Sequence, residues 1–489
     1  MSIPDPTVIG KLVLKGKIVV KTPLIIGSGN NDQADIEVLK DEAGNPFIPA
    51  TSFVGVLRHW IEKESCSLSA TQSDYFWGSK TDEGFQSALC CHDLRTKEAK
   101  IKIRDGVAID SKTGIAIDKK KYDYEVIEPG ASFDMYLEVT IRRAFDKELF
   151  KKILATIVEL LRKGEKKVKI SFGAKTTSGF GYCELEKPKY YEFDFSKKDD
   201  VWRWLKQNFP QGTESVDANP FQIRQKTFTI DAAFSIKNSL IVRSYSSDPE
   251  SSDAVHIKSG EKNVLPGTSI KGAIRARGLK ILKTLGYTDA EDMINKLFGF
   301  VDEKNKKKSK VIVEETKIEK PVVAELQQHR CCTDWGKSKN TKIEKPVVAE
   351  LQHRIKIDRF TGGVIKGALF DSMPLWSNGN DEAVKIKMTI NDDQEDWEDW
   401  EAGLLLLILK DLWNEDLPIG GEKNVGRGIL KGVIAKIRWN RQEITQEITI
   451  EEKKDGLDIS PPDSVTLNNF CKSLQSAIHN PKLKEAANG

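Results

Sequence analysis

The sequence predicts an α+β protein that contains two tandem copies of one domain. Three short motifs occur twice and in the same order: a Pro-x-Thr-Ser-x-x-Gly-x-x-Arg segment, an Ile-Asp-x-x-Thr-Gly segment and a glycine-rich loop. The pairs are residues 48–58 and 265–275, residues 109–114 and 357–362, and residues 173–181 and 420–428. The repeat distance exceeds 200 residues, whereas solenoid and propeller repeats recur about every 20–50 residues. We therefore expect each copy to fold around its own hydrophobic core.

Composition fits a soluble protein of two or three domains. The chain has 489 residues, of which 39% are hydrophobic and 30% are charged, as in ordinary globular proteins. It has no apolar run long enough to span a membrane, and residues 1–6 do not resemble a secretory signal. An odd number of cysteines, seven, favours a reducing compartment. We expect a cytoplasmic protein that does not associate with membranes.

Each copy begins with a predicted strand followed by a predicted helix. Apolar and polar residues alternate over residues 12–21 and 226–236, which is the period of a half-buried strand. A polar loop follows each of them. Apolar residues then recur with helical spacing over residues 53–61 and 270–274.

The hydroxyl residues in front of these helices are the expected N-caps. Thr51 or Ser52 takes this position in the first copy, and Thr268 or Ser269 takes it in the second. Ser and Thr are favoured there because the side-chain oxygen accepts a hydrogen bond from a free backbone N–H.

Further helices are predicted at residues 150–161 and 401–412, each leading into the glycine-rich loop of its copy. The order strand, helix, strands, helix, strand is that of a ferredoxin-like or RNA-recognition-type layout. The predicted boundaries are residues 1–195 for the first domain, 196–220 for a linker, 221–439 for the second domain and 440–489 for a charged tail.

The repeated motifs carry groups that can bind anions. A helix N-terminus offers free backbone N–H groups, and glycines let a loop approach a ligand closely. Either motif alone is more often an ordinary turn or cap, but two ordered copies favour a shared function. The residues expected to bind are Thr51, Ser52, Arg58, Lys175, Thr176, Thr177, Thr268, Ser269, Lys271, Arg275, Lys423 and Arg427. The net charge of only +3 means that binding must depend on such local groups.

These motifs together resemble the RAMP superfamily, and specifically the backbone subunits of type III CRISPR effector complexes. The resemblance covers roughly residues 10–190 and 225–437, and two copies in one chain are similar to the double-backbone fusion of the type III-D branch. It implies a subunit that binds CRISPR RNA, pairs it with single-stranded target RNA and assembles with other effector subunits. It also implies cleavage of the target at regular intervals.

In this family an aspartate between the first strand and the Pro-x-Thr-Ser helix is required for cleavage. Counting back from the proline of that motif places Asp35 at 14 residues and Asp253 at 13 residues. Counting forward from the first strand instead pairs Asp32 with Asp248. We choose Asp35 and Asp253 and keep the other pair as alternates, although a loop aspartate that only caps a turn is common.

The resemblance also implies a β-hairpin "thumb" in each copy, inserted after the Ile-Asp motif to displace a base of the guide–target duplex. In the first copy this hairpin maps to residues 115–127. The second copy offers no clear assignment.

RNA carries its own nucleophile, the 2′-hydroxyl, so the protein must mainly position one splayed nucleotide. The aspartate would act as general base or hold a divalent cation. The loops offer too few carboxylates for a closed metal site, so we assign no resident metal ligands and expect Mg²⁺ or another divalent cation to bind transiently. The sequence thus predicts a metal-dependent endoribonuclease.

Two alternatives remain. The chain could be a non-catalytic backbone that only binds guide RNA. It could also be an endoribonuclease that processes precursor CRISPR RNA, but such enzymes usually need a histidine near the glycine-rich loop. Neither glycine-rich loop has one nearby in sequence.

Overall fold

A computed structural model describes most of the chain. The described residues are 5–29, 35–64, 68–79, 86–110, 113–162, 164, 169–209, 212–222, 226–244, 252–302, 305–318, 348–349, 351–377, 384–391, 396–441, 444–453, 456–461 and 464–477. They form two units. The first comprises Met1–Val107, Lys119–Thr176 and Phe180–Gln225, and the second comprises Ala108–Asp118, Thr177–Gly179 and Lys226–Gly489.

The first copy contains ten strands and four helices among its described residues. The strands are β1 (Val8–Val20), β2 (Gly27–Gly29), β3 (Glu37–Val38), β4 (Phe47–Ile48), β5 (Leu89–Cys91), β6 (Leu94–Arg95), β7 (Ile101–Ile109), β8 (Ala116–Ile127), β9 (Ser132–Arg142) and β10 (Cys183–Asp194). The helices are α1 (Ala50–Glu64), α2 (Ala70–Trp77), α3 (Lys147–Leu161) and α4 (Lys198–Leu205).

The main sheet of the first unit is antiparallel, in the order β10-β1-β9-β6-β4, with β5 also pairing with β9. The side chains of Leu12, Leu14 and Ile18 point into the core and are fully buried there, as the alternation predicted for β1 requires. Phe53 of α1 stacks on Phe172 at 5.0 Å between ring centroids. This contact places the start of the glycine-rich loop against α1.

The second copy begins with β11, and its first helix is α5. Its strands are β11 (Phe228–Ile236), β12 (Ser239–Leu240), β13 (Arg243–Ser244), β14 (Ala254–His256), β15 (Lys258–Ser259), β16 (Lys262–Leu265), β17 (Phe300–Val301), β18 (Lys306–Lys307), β19 (Val311–Val313), β20 (Thr316–Lys317), β21 (Val348–Ala349), β22 (Gln352–Ile357), β23 (Val364–Met373), β24 (Leu375–Trp376), β25 (Val384–Ile390), β26 (Leu430–Arg441), β27 (Ile444–Lys453) and β28 (Gly456–Ser460). Its helices are α5 (Gly267–Thr284), α6 (Ala290–Phe298), α7 (Asp399–Trp413) and α8 (Ser464–Ala477).

The main sheet of the second unit has the order β19-β25-β11-β26-β27-β28. Helix α7 is apolar on nearly all sides and is buried almost throughout. A buried ion pair between Lys310 and Glu401, 3.2 Å apart, lies in this unit. Each charge offsets part of the desolvation cost of the other, since burying one unpaired charge costs several kcal/mol.

The predicted strands and helices are present. Residues 12–21 and 226–236 lie largely in β1 and β11, and the four predicted helices are α1, α5, α3 and α7. The architecture is a mixture of α-helices and β-strands with several sheets, in keeping with the predicted class. Every helix among the described residues is too short or too polar to cross a lipid bilayer.

Two segments that we expected to lie outside the domains belong to them. The predicted linker, residues 196–220, contains α4, and Val216 is buried in the first core. The predicted charged tail, residues 440–489, adds β27 and β28 to the second sheet, and its helix α8 packs on α7. Phe470 is buried there and its backbone leaves no room for a side chain at Gly403.

Each Ile-Asp-x-x-Thr-Gly motif forms the turn of a β-hairpin. The motif lies between β7 and β8 in the first copy and between β22 and β23 in the second. In each turn the aspartate carboxylate, Asp110 or Asp358, accepts the backbone N–H of the threonine at 2.8 Å. The expected thumb at residues 115–127 is therefore only the second strand of a hairpin that flanks the motif on both sides.

Candidate functional site

The hydroxyl residues of the Pro-x-Thr-Ser motif do not cap their helices. Thr51 and Ser52 lie exposed in the first turn of α1, and Thr268 and Ser269 lie half-buried in that of α5. The backbone N–H of the first residue of α1 donates instead to Asp93, 2.9 Å from the carboxylate oxygen. The N-cap position of α5 is a proline without a side-chain hydrogen bond. The N-cap prediction is therefore wrong.

The two arginines of this motif make equivalent contacts in the two copies. Arg58 donates to the carbonyl oxygen of Gly78, 3.4 Å away, and pairs with Glu62 at 2.7 Å. Arg275 donates to the carbonyl oxygen of Gly299 at 2.7 Å. Those glycines end α2 and α6. Each arginine thus holds the end of the following helix, a structural role that accounts for its repetition without a ligand.

Lys271, expected to bind an anion, lies largely buried in the second unit. Its Nζ donates to the hydroxyl and carbonyl oxygens of Thr177, at 2.8 and 3.2 Å, and both residues belong to this unit. Burial lowers the pKa of Lys271 to about 7, with smaller contributions from the charges of Arg275 and Lys308. A lysine in this state is a weaker phosphate ligand than one on the surface.

The glycines of the two glycine-rich loops are required by contacts within the chain. Gly173 and Gly420 have φ angles of 77° and 96°. A Cβ atom at these positions would collide with the carbonyl oxygens of Ile25 and Ile241, respectively. The next residue of each loop donates its N–H to the same carbonyl, at 2.9 and 2.8 Å. The loops are therefore fastened to the segment after β1 and after β12.

The second residue after the first glycine of each loop adopts a left-handed conformation. Lys175 occupies this place in the first copy and Glu422 in the second, both with φ of 56°. Nζ of Lys175 lies 3.5 Å from the ring centroid of Tyr124 and 3.3 Å from the hydroxyl of Tyr122, both on β8. Burial, with the charge of Arg104, lowers the pKa of Lys175 to about 8. Thr176 and Thr177 follow in a single 3-10 turn.

Glu422 binds three arginines in the second copy. Its carboxylate lies 2.6 Å from Arg243, 2.6 Å from Arg354 and 3.1 Å from Arg427. Burial alone would raise the pKa of Glu422, but these guanidinium groups lower it. Arg427 is only 3% exposed, so its main role in the structure is to hold the loop. Lys423, the next residue after Glu422, is exposed.

Asp35 and Asp253 occupy equivalent positions in the two copies. The carboxylate of Asp35 accepts the backbone N–H of Asp123 at 3.0 Å, and that of Asp253 accepts the N–H of Asp371 at 2.9 Å. Asp123 and Asp371 both lie nine residues after the glycine of the hairpin turn. Both site aspartates are exposed. The alternates Asp32 and Asp248 lie outside the described residues.

The neighbours of the two aspartates differ between the copies. In the first copy desolvation and the carboxyl of Asp105 raise the pKa of Asp123, and Lys121 pairs with Asp105 at 3.1 Å. In the second copy Nδ1 of His353 lies 2.7 Å from Asp371. Asp105 and His353 each precede the aspartate of their hairpin turn by five residues. Neither residue was predicted from the sequence, although this equal spacing could have revealed them.

The described part of the chain contains no group of three or more His, Cys, Asp or Glu side chains placed to hold a metal ion. The exposed carboxylates of Asp35 and Asp253 are oxygen donors of the kind that Mg²⁺ prefers. Mg²⁺ usually binds through one or two carboxylates, with waters and substrate phosphates as further ligands. The donors present thus fit an ion shared with a bound nucleic acid and do not form a closed site.

The family model of the RAMP superfamily matches residues 17–184 and 233–431, which hold all three repeated motifs of each copy. No curated protein matches the chain. Members of this superfamily are generally CRISPR-associated and bind RNA. The chain belongs to the RAMP superfamily.

Proposed function

We propose that this protein is a CRISPR RNA-binding backbone subunit of a type III effector complex, in the double-copy form of the type III-D branch. It pairs the guide with single-stranded target RNA and cleaves the target at two sites, one per copy. Asp35 and Asp253 are the proposed catalytic residues. The observation that carries the proposal is their equivalence, since each is held by the backbone N–H of an aspartate on an inserted hairpin.

The hairpins supply the second support. Apolar side chains stand exposed on both of them: Ile103, Val107, Ile109, Ile115, Ile355, Ile357, Phe360 and Val364. Such side chains are suited to insert between stacked bases, and a displaced nucleotide then leaves the helical geometry that protects RNA. With the proposed catalytic aspartate at the base of the hairpin, the splayed nucleotide lies next to a carboxylate.

Cleavage proceeds by attack of the 2′-oxygen on the adjacent phosphorus. The bond from phosphorus to the 5′-oxygen breaks, leaving a 2′,3′-cyclic phosphate and a 5′-hydroxyl. The protein orients the nucleotide so that these atoms lie in line, and this orientation supplies most of the rate. A divalent cation bound by Asp35 or Asp253 together with RNA phosphates would stabilise the negative charge that develops on the phosphate.

The exposed lysine of the second glycine-rich loop and the hydroxyls at the helix N-termini are the groups best placed to bind guide phosphates. We propose three kinds of partner: CRISPR RNA, single-stranded target RNA and the other subunits of the effector. We propose that the complex works in the cytoplasm.

Cleavage can be tested with the reconstituted complex and a guide-matched RNA labelled at its 5′ end. We expect two cuts attributable to this subunit, which stop when EDTA removes divalent ions while target RNA stays bound. A matched control uses an RNA without complementarity to the guide, which should remain intact.

Two results would contradict this proposal. An intact target bound at full occupancy in the presence of Mg²⁺ would show that the subunit is a non-catalytic backbone. Undiminished cleavage in EDTA would remove the metal from the mechanism.

A further inference from the structure

His353 and Asp371 form a hydrogen-bonded pair at the base of the second hairpin. The two residues lie directly opposite each other on β22 and β23. Nδ1 of the imidazole is 2.7 Å from the carboxylate oxygen Oδ1. A carboxylate only accepts hydrogen bonds, so Nδ1 is the donor, and in the neutral ring Nε2 carries the lone pair.

The imidazole is open to a ligand. The side chain of His353 is 66% exposed, whereas that of Asp371 is 32% exposed. Among the described residues, Asp371 is the hydrogen-bond partner of the ring, and it occupies only Nδ1. The basic nitrogen Nε2 therefore faces outward, with its orientation fixed from behind by a carboxylate, as in enzymes that use histidine as a general base.

The pair is joined to the proposed catalytic aspartate. The backbone N–H of Asp371 donates to Asp253 at 2.9 Å, so one residue holds both the imidazole and the carboxylate. The neighbours of His353 on β22 bind the glycine-rich loop: Gln352 accepts a hydrogen bond from Arg427, and Arg354 pairs with Glu422. These two contacts fasten β22 to the loop on either side of His353. Because side chains alternate along a strand, the imidazole lies on the opposite face of β22, next to Asp371.

The first copy has no imidazole at this place. Asp105 stands where His353 stands in the second copy, and it faces Asp123 and Lys121. The neighbouring carboxyl groups of Asp105 and Asp123 cannot reproduce an imidazole nitrogen that a carboxylate holds in one orientation. The two copies therefore offer different groups for proton transfer.

We propose that His353, oriented by Asp371, is the general base of the cleavage reaction in the second copy. Nε2 takes the proton from the attacking 2′-hydroxyl as the 2′-oxygen bonds to phosphorus and the bond to the 5′-oxygen breaks. The leaving 5′-oxygen takes a proton from water. This assignment rests on the proposed function, and it adds a proton-transfer residue that the first copy lacks.

The test compares both cuts in one reconstituted complex, so that the cut by the first copy is an internal control. In His353→Ala we expect the second cut to slow by about 10²–10⁴-fold, the usual contribution of general acid–base catalysis. The first cut and target binding should keep their wild-type values. Added imidazole should restore part of the second cut, because it can replace the missing base. His353→Gln should be as slow, and His59→Ala, which removes an exposed histidine from α1, should leave both cuts unchanged.

Four outcomes would overturn the assignment. In one, His353→Ala cuts at both sites at the wild-type rate. In another, both cuts slow equally, which indicates a general effect on RNA binding or folding. In the third, the second cut slows but imidazole has no effect, which indicates a structural role. If the wild-type complex makes no cut at all, both the proposed function and this assignment fail.

Discussion

Two arginines that recur between the copies bind backbone carbonyls that end a neighbouring helix. In the second copy Arg275 also donates to the side-chain oxygen of Asn295 at 2.7 Å, so both terminal nitrogens of its guanidinium have partners within the fold. Hydrogen bonds from charged groups contribute about 1.5–3 kcal/mol each to stability. The repeated arginine, which we predicted to bind a phosphate, therefore has a sufficient reason in the fold itself.

We expect Arg275→Ala to lower the free energy of unfolding of the second unit by about 1.5–3 kcal/mol, because it leaves the end of α6 without its donor.

Lys423→Ala should instead leave stability unchanged and weaken guide RNA binding similarly for unrelated guide sequences. It should also reduce the salt dependence of binding by about one ion, as for one lost phosphate contact. Urea denaturation and RNA titration at several salt concentrations measure the two effects.

The arginine assignment fails if Arg275→Ala keeps full stability and loses one ion from the salt dependence. Arg58→Ala is the matched variant in the first copy, where the longer 3.4 Å hydrogen bond to Gly78 predicts a smaller loss of stability.

At the scale of elements, the two glycine-rich loops hold their hairpins through opposite chemistry. Lys175 rests on aromatic rings of β8, whereas Glu422 pairs with Arg354 of β22. Both residues take the same left-handed backbone conformation. The loops thus share a backbone geometry, and in each copy a hairpin strand supplies the side chain that contacts this loop residue.

The contact of Lys175 predicts a pH dependence of stability. Its pKa is about 8 in the folded protein and about 10.4 in an unfolded chain. Between these values the unfolded state binds one more proton, so stability rises with pH by about 1.4 kcal/mol per pH unit. We expect this rise to be smaller in Lys175→Met, which keeps the side-chain length without the charge. Urea denaturation of both proteins at pH 7, 8.5 and 9.5 measures the difference, and parallel curves would contradict the assignment.

Some elements could be predicted from local sequence and others could not. The main helices and first strands follow from apolar periodicity, because their buried faces are set by neighbours a few residues away. The cap of α1 could not be predicted, since Asp93 lies 43 residues from the N–H that it accepts. The hairpin that we expected after the first Ile-Asp motif instead has strands on both sides of it, because the motif lies at the turn between β7 and β8.

At the scale of the whole molecule, the repeated motifs do not determine where each folding unit ends. Motifs mark where two copies agree, whereas the limits depend on residues that differ between them. The first unit extends over α4 and the second over β27, β28 and α8, each of which adds buried apolar residues such as Val216 and Phe470. The burial of these residues cannot be predicted from local sequence, because they pack against segments that are distant in the chain.

Spacing along the sequence could not fix the register of the candidate aspartates for the same reason. Asp35 and Asp253 follow from spacing to the helix motif, but spacing to the first strand pairs other residues. Only the contacts with Asp123 and Asp371 show that Asp35 and Asp253 are equivalent. His353 was missed because it lies far from Asp253 in sequence, and only the contacts of Asp371 with both residues connect them.

The most direct measurement of the central claim is a map of the cuts made by complexes that carry Asp35→Ala or Asp253→Ala. We predict that each variant loses a different cut and binds target RNA as the wild type does, because each copy acts on its own splayed nucleotide. Asp35→Asn and Asp253→Asn, which keep a hydrogen-bond acceptor for the hairpin, should give the same result and so exclude a purely structural effect. Retention of both cuts in every single variant would contradict the account.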